Sequence, residues 1–140
     1  MDKNKPNGIR FDAVFLSELL FKLPNVPPDK FQYNLNFNSN YSIDTEKQKL
    51  IYCLQVKLFE GFEISITGIF STIKGEENLD LTAFSESNAP ALIMPFLRQI
   101  VHDITSKSPL PPLLLPPINI FALINKKEST NPAPIAQQNN

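Results

Sequence analysis

At 140 residues, 42% hydrophobic and 19% charged, the chain has the size and composition of one folded domain rather than of a disordered segment. Thirteen Lys and Arg stand against fourteen Asp and Glu, a formal charge of −1, which excludes functions resting on a strong basic field, such as non-specific nucleic-acid binding. One Cys and one His exclude a disulfide framework and argue against a metal centre built on those residues.

Taken in chain order, Phe11 to Leu23 is an apolar run behind Lys3, Lys5 and Arg10. Asp12 and Glu18 interrupt it and no small-residue cleavage site follows, so it does not read as a signal peptide. Its residue types leave helix and strand both open: Val14, Phe15 and Leu19 have helical spacing, while Phe11, Ala13 and Phe15 alternate. From Phe31 to Ile43, aromatic and aliphatic residues hold the odd positions and Gln or Asn most of the even ones, which predicts a long strand with one buried face. Lys49 to Glu60 alternates likewise, with Leu50, Tyr52, Leu54, Val56 and Leu58 on one face. Phe62, Ile64 and Ile66 restart the pattern after Glu60-Gly61, and a strand is expected to about Ile73, so the two runs read as a hairpin.

The second half changes period. Leu92, Ile93, Phe96, Leu97, Ile100, Val101 and Ile104 predict a helix over Asn88 to Ser106, with Asn88 as N-cap, Pro90 in the first turn and Pro95 early in the helix. Asn78 to Ser85 reads as a short preceding turn of helix. Pro109 to Pro117 carries five prolines in nine residues. In a helix interior each would cost about 3 kcal/mol, so the segment is expected to be extended and no membrane span. Ile118 to Lys127 reads as a short C-terminal helix. Residues 1–8 are expected to be a flexible N-terminus, 9–127 one domain and 128–140 a disordered tail. Strands followed by helices predict an α+β fold with an antiparallel sheet, and the expected location is the cytosol.

The landmarks Leu23-Pro-Asn-Val-Pro27, Gly68-Ile-Phe70, Asn88-Ala-Pro-Ala-Leu-Ile-Met-Pro-Phe-Leu-Arg98 and Pro117-Ile-Asn-Ile-Phe-Ala-Leu123 stand in one order along the chain. In that order they resemble the SecB family of protein-export chaperones over roughly residues 11 to 125. The resemblance implies that Phe11 to Leu23 is a strand. It also implies a four-stranded antiparallel sheet, a long helix, a proline-rich connector and a short C-terminal helix, assembled as a homotetramer, a dimer of dimers. The implied activity is that of an ATP-independent holdase, which keeps unfolded or newly made polypeptides competent for export and passes them to the SecA motor.

On that basis a client groove is expected at Phe31, Tyr33, Leu110, Leu113, Leu114, Leu115, Phe121 and Leu123, although the leucines could equally fill the core beneath the helix. An oligomer interface is implied at Phe62, Ile64, Ile66, Phe96 and Ile100, the first three again being open to an ordinary core role. Glu18 and Glu63 fall near the family's SecA-docking carboxylates. Lys22 departs from that pattern, and the charge of −1 offers a basic partner little steering. The alternatives are a solitary or toxin-antitoxin-associated SecB-like chaperone not coupled to SecA, or a carrier of small apolar ligands. Neither cofactor, metal, nucleic acid nor membrane insertion is implied. His102 and Cys53 read as a surface and a packed residue, without a catalytic role.

Overall fold

The computed structural model of the chain describes residues 8–73, 81–115 and 124–128. The strands β1 (Ile9–Phe21), β2 (Asn36–Asp44), β3 (Lys49–Phe59) and β4 (Phe62–Thr72) precede one helix, α1 (Leu81–Ser106), and a short strand, β5 (Ile124–Glu128). The sheet order is β1-β4-β3-β2-β5. The first four strands pair antiparallel, and β5 lies parallel to β2.

Alternation decides the pleat. Leu50, Tyr52, Leu54, Val56 and Leu58 of β3 all point into the core at 0% exposure, and Phe62, Ile64, Ile66 and Phe70 of β4 join them. Helix α1 lies over β3 and β4 and brings Phe84, Ala89, Ile93, Met94, Leu97 and Val101 to the same layer. The β3–β4 link is the expected Glu60-Gly61 turn; Gly61 supplies φ +107°, which a side chain would strain. At the β2–β3 turn, Asp44 Oδ1 accepts from the amides of Glu46 and Lys47, each at 3.1 Å, an Asx-type closure.

Three expectations are corrected. The described helix runs unbroken for 26 residues from Leu81 with Pro90 and Pro95 inside it, so Asn88 is no N-cap; residues 81–85 of the expected preceding turn belong to this same helix, and 78–80 lie outside the described residues. Leu81 and Phe84 extend the buried stripe of Ala89, Ile93, Leu97 and Val101 towards the N-terminus, and that burial outweighs the donors the prolines lack. Strand β2 begins at Asn36 rather than Phe31, because the chain before it wraps the hairpin end: Lys22 N–H donates to Gly61 O at 2.8 Å and Asn34 N–H to Leu58 O at 3.0 Å. Finally, Ile124–Glu128 is strand, not the end of a helix or the start of a tail, since the edge of β2 offers it a ladder. The rest of the expected C-terminal helix, and the tail after Glu128, lie outside the described residues.

At Gly68 the helix packs close against the sheet. A Cβ there would stand 2.7 Å from Ile93 Cδ1 and 3.2 Å from a ring carbon of Phe70. Gly68→Ala is expected to cost about 1–2 kcal/mol through overpacking, read as a lower urea midpoint with an unchanged m-value.

Tyr52 is wholly enclosed. Burial pushes its phenol up to about 12, with the Ser39 hydroxyl offsetting part of the effect and Cys53 and Tyr41 adding to it. The folded chain therefore holds this proton while the unfolded chain loses it near pH 10, so stability falls as pH rises from about 10 to about 12. The expected loss is roughly 2–3 kcal/mol. In a denaturation series between neutral and alkaline pH, Tyr52→Phe should remove that part of the slope.

Candidate functional site

The hairpin end gathers aromatic rings from four parts of the chain. Phe59 and Phe62 flank the turn, with ring centroids 5.4 Å apart. Phe21, paired with Phe62 across β1 and β4, packs edge-on at 4.7 Å. Phe31 and Tyr33, on the wrapping segment, reach Phe59 at 4.9 and 6.4 Å. Phe21, Phe31, Tyr33 and Phe59 are only half-buried, and Leu23, Val26 and Leu35 beside them in sequence are exposed. The result is an apolar strip that packs against the core and, among the described residues, is only half covered.

The proline-rich segment is tied to this strip. After α1, residues 107–115 form neither helix nor strand and run back along the helix. Leu113 N–H donates to Thr105 Oγ1 at 2.9 Å, and Arg98 Nε donates to Leu115 O. Tyr33 Oη donates to the carbonyl of Pro111 at 2.7 Å, joining the segment to the aromatic cluster; burial raises the phenol's pKa.

The expected groove residues divide on burial. Phe31 and Tyr33 sit in the strip, Leu113 is half-buried and Leu114 is 61% exposed. Leu110 and Leu115 are core residues at 3% and 0% exposure, so the core reading holds for them; Phe121 and Leu123 lie outside the described residues. Of the expected interface, Phe62, Ile64 and Ile66 have 0–1% of their surface exposed and offer a partner nothing. Phe96 is 40% exposed and Ile100 partly so. Glu18 and Glu63 share the outer sheet face, pairing with Ser65 and Leu20 across β1 and β4. Lys57 stands between carboxylates there, 3.0 Å from Glu60 and 4.0 Å from Glu63, which weakens the acidic character of the face.

Sequence reasoning missed the exposed row on β1. Phe15, Leu16, Leu19 and Leu20 are 42–46% exposed, Leu16 and Leu19 on the helix-side face and Phe15 and Leu20 on the other; Leu92 and Phe96 of the helix are also exposed, at 43% and 40%. The signal was present: a near-continuous apolar run, read as a strand, places apolar groups on both faces. Cys53 is a packed thiol whose pKa burial raises, partly offset by Thr67, Ser17 and Ser65. Among the described residues no helix is long and apolar enough to cross a membrane.

Comparison with known proteins gives the same answer from sequence and from fold. The family model described as preprotein translocase subunit SecB matches residues 2–131. A protein-export protein SecB of Methylococcus capsulatus is 30% identical over 122 residues, covering 79% of this chain and 78% of its own length. One from Actinobacillus succinogenes is 28% identical over 130 residues, covering 82% and 77%. An uncharacterized protein of the archaeon Methanocaldococcus jannaschii is 26% identical over 130 residues, covering 84% and 83%. Among solved structures, a Mycobacterium tuberculosis SecB-like chaperone in complex with a ChAD peptide from an antitoxin superposes with a TM-score of 0.60. It shares 17% identity, over 79% of this chain and 88% of that one. With its four antiparallel strands, long helix and matched residues, the chain belongs to the SecB family of chaperones, which are not enzymes.

Proposed function

We propose that the chain is an ATP-independent holdase for unfolded polypeptides, working apart from SecA, with a dedicated partner such as an antitoxin segment among its clients. The observation that carries the reading is the half-wet aromatic strip of Phe21, Phe31, Tyr33 and Phe59, fastened to the proline segment by the Tyr33–Pro111 bond. Apolar contact is non-directional, so such a strip selects for exposed greasy segments rather than for a sequence. At about 25 cal/mol per Å², covering some 400 Å² gains on the order of 10 kcal/mol before the ordering of client is subtracted. Repetition of the strip over an oligomer, proposed as a dimer of dimers, would raise the effective concentration of sites.

Three observations favour independence from SecA. The outer sheet face offers Glu18 and Glu63 but also Lys57 within 4.0 Å of Glu63, and the formal charge is −1. The similar mycobacterial fold, moreover, was solved with an antitoxin peptide bound. The test is an aggregation assay with a chemically denatured client, together with solution mass by light scattering. Suppressed aggregation and a larger particle are expected. Unchanged aggregation with unchanged mass overturns the holdase reading, and a tightly held co-purified lipid in native mass spectrometry replaces it with apolar-ligand carriage.

A further inference from the structure

The edge of β2 carries a second feature beside the aromatic strip. One side of Asn36–Asp44 is laddered to β3, and the other side, over Phe37–Tyr41, is taken by β5. β2 itself is fixed, because Phe37 and Tyr41 are buried in the core. By its length, pairing and sequence β5 is the weaker partner. It is five residues long, it lies parallel, and its sequence INKKE contains one apolar residue. Parallel pairing is slightly weaker per residue than antiparallel, and so polar a segment brings little apolar area to bury. An empty β2 edge would present unpaired backbone groups to any other strand, the usual route to aggregation.

We infer that Ile124–Glu128 is an internal competitor: it occupies the β2 edge in the empty chaperone, and an extended, proline-free segment of bound polypeptide displaces it. This rests on the holdase reading and adds to it a second mode of binding. Backbone pairing reads no side-chain sequence, so it complements an apolar strip without narrowing the client range. The strip adjoins β2 in the chain, since Phe31 and Tyr33 lie on the segment that leads directly into it. A tethered occupant needs little intrinsic affinity, because its effective concentration is high, and a client that gains more contacts can replace it.

The test uses the full chain and an Asn125→Pro/Lys126→Pro variant. Successive residues of a strand point their amides to opposite sides, so one of two adjacent prolines removes a donor facing β2 whatever the phase. The probe is a dye-labelled, unstructured peptide of about 15 residues rich in Val, Ile and Tyr, and its counterpart N-methylated at alternate residues. The variant is expected to bind the plain peptide about 10-fold tighter, as when a competitor occupies roughly nine-tenths of the sites, and the methylated one with no gain. Amides of residues 37–41 should exchange faster in the free variant. Equal affinity of variant and parent for the plain peptide overturns the inference, as does an equal gain for the methylated peptide. If neither protein binds the probe, it is the holdase reading that falls, and unchanged exchange at 37–41 separately removes β5 as the cover of that edge.

Discussion

Phe70→Ala is expected to lower the unfolding free energy by about 3–5 kcal/mol and the melting temperature by roughly 10–20 °C. The ring is 0% exposed and joins three elements. It stacks on Phe11 of β1 at 4.6 Å, meets Phe84 at the start of α1 at 5.1 Å, and borders the close approach at Gly68. Removing it leaves a cavity where sheet edge and helix entry are pinned together, with Phe11 continuing to Phe96 at 6.1 Å. Collapse into that cavity is hindered because Gly68 already seats Ile93 tightly. Phe70→Leu, which keeps most of the volume, should cost less than half as much. Equal losses for both variants in urea denaturation would mean that ring shape, not cavity volume, governs the site. A loss below about 1 kcal/mol for Phe70→Ala would contradict its place in the core.

The elements that could be read from residue order are those whose periodicity and burial agree. β3 and β4 obey the two-residue period and their turn carries the glycine it needs, so Leu50 to Leu58 and Phe62 to Ile66 appeared with their core face correct. The proline segment was legible from missing donors alone. The errors share one cause, which is long-range contact overriding local chemistry. Asn88 has the chemistry of a helix start, but Leu81 and Phe84 find a core to cover and move the start upstream. Phe31 to Leu35 alternates like a strand, yet its aromatic residues are drawn to Phe59 while the backbone wraps the turn. INKKE carries no strand pattern and pairs only because β2 has a free side. The site was half legible for the same reason: Phe31 and Tyr33 were found, but Leu110 and Leu115 proved to be core, and the wet row on β1 depends on where α1 lies.

That row leads to the second large effect. On the proposed dimer-of-dimers reading, the parent chain is expected to run as an oligomer in light scattering at micromolar concentration and a Leu19→Glu/Phe96→Glu variant as a monomer. β1 is a 13-residue strand at the edge of the sheet. Leu16 and Leu19 point to its helix-side face, opposite Ile66 and Ile64, where α1 over β3 and β4 leaves them uncovered. An edge with apolar groups on both faces is a pairing template that a second copy can satisfy. Across a two-fold axis every substitution counts twice, so two changes remove four apolar contacts. At about 1–1.5 kcal/mol for each half-exposed side chain, the loss is roughly 4–6 kcal/mol, or about 1,000-fold or more in dissociation constant, before the repulsion of four buried carboxylates is added. The circular dichroism of the variant should match that of the parent, because neither side chain belongs to the buried core. An oligomer of unchanged mass would place the self-association surface elsewhere and free the β1 row for client. A monomer that still suppresses aggregation would assign client binding to the aromatic strip of a single chain, with assembly acting through avidity alone.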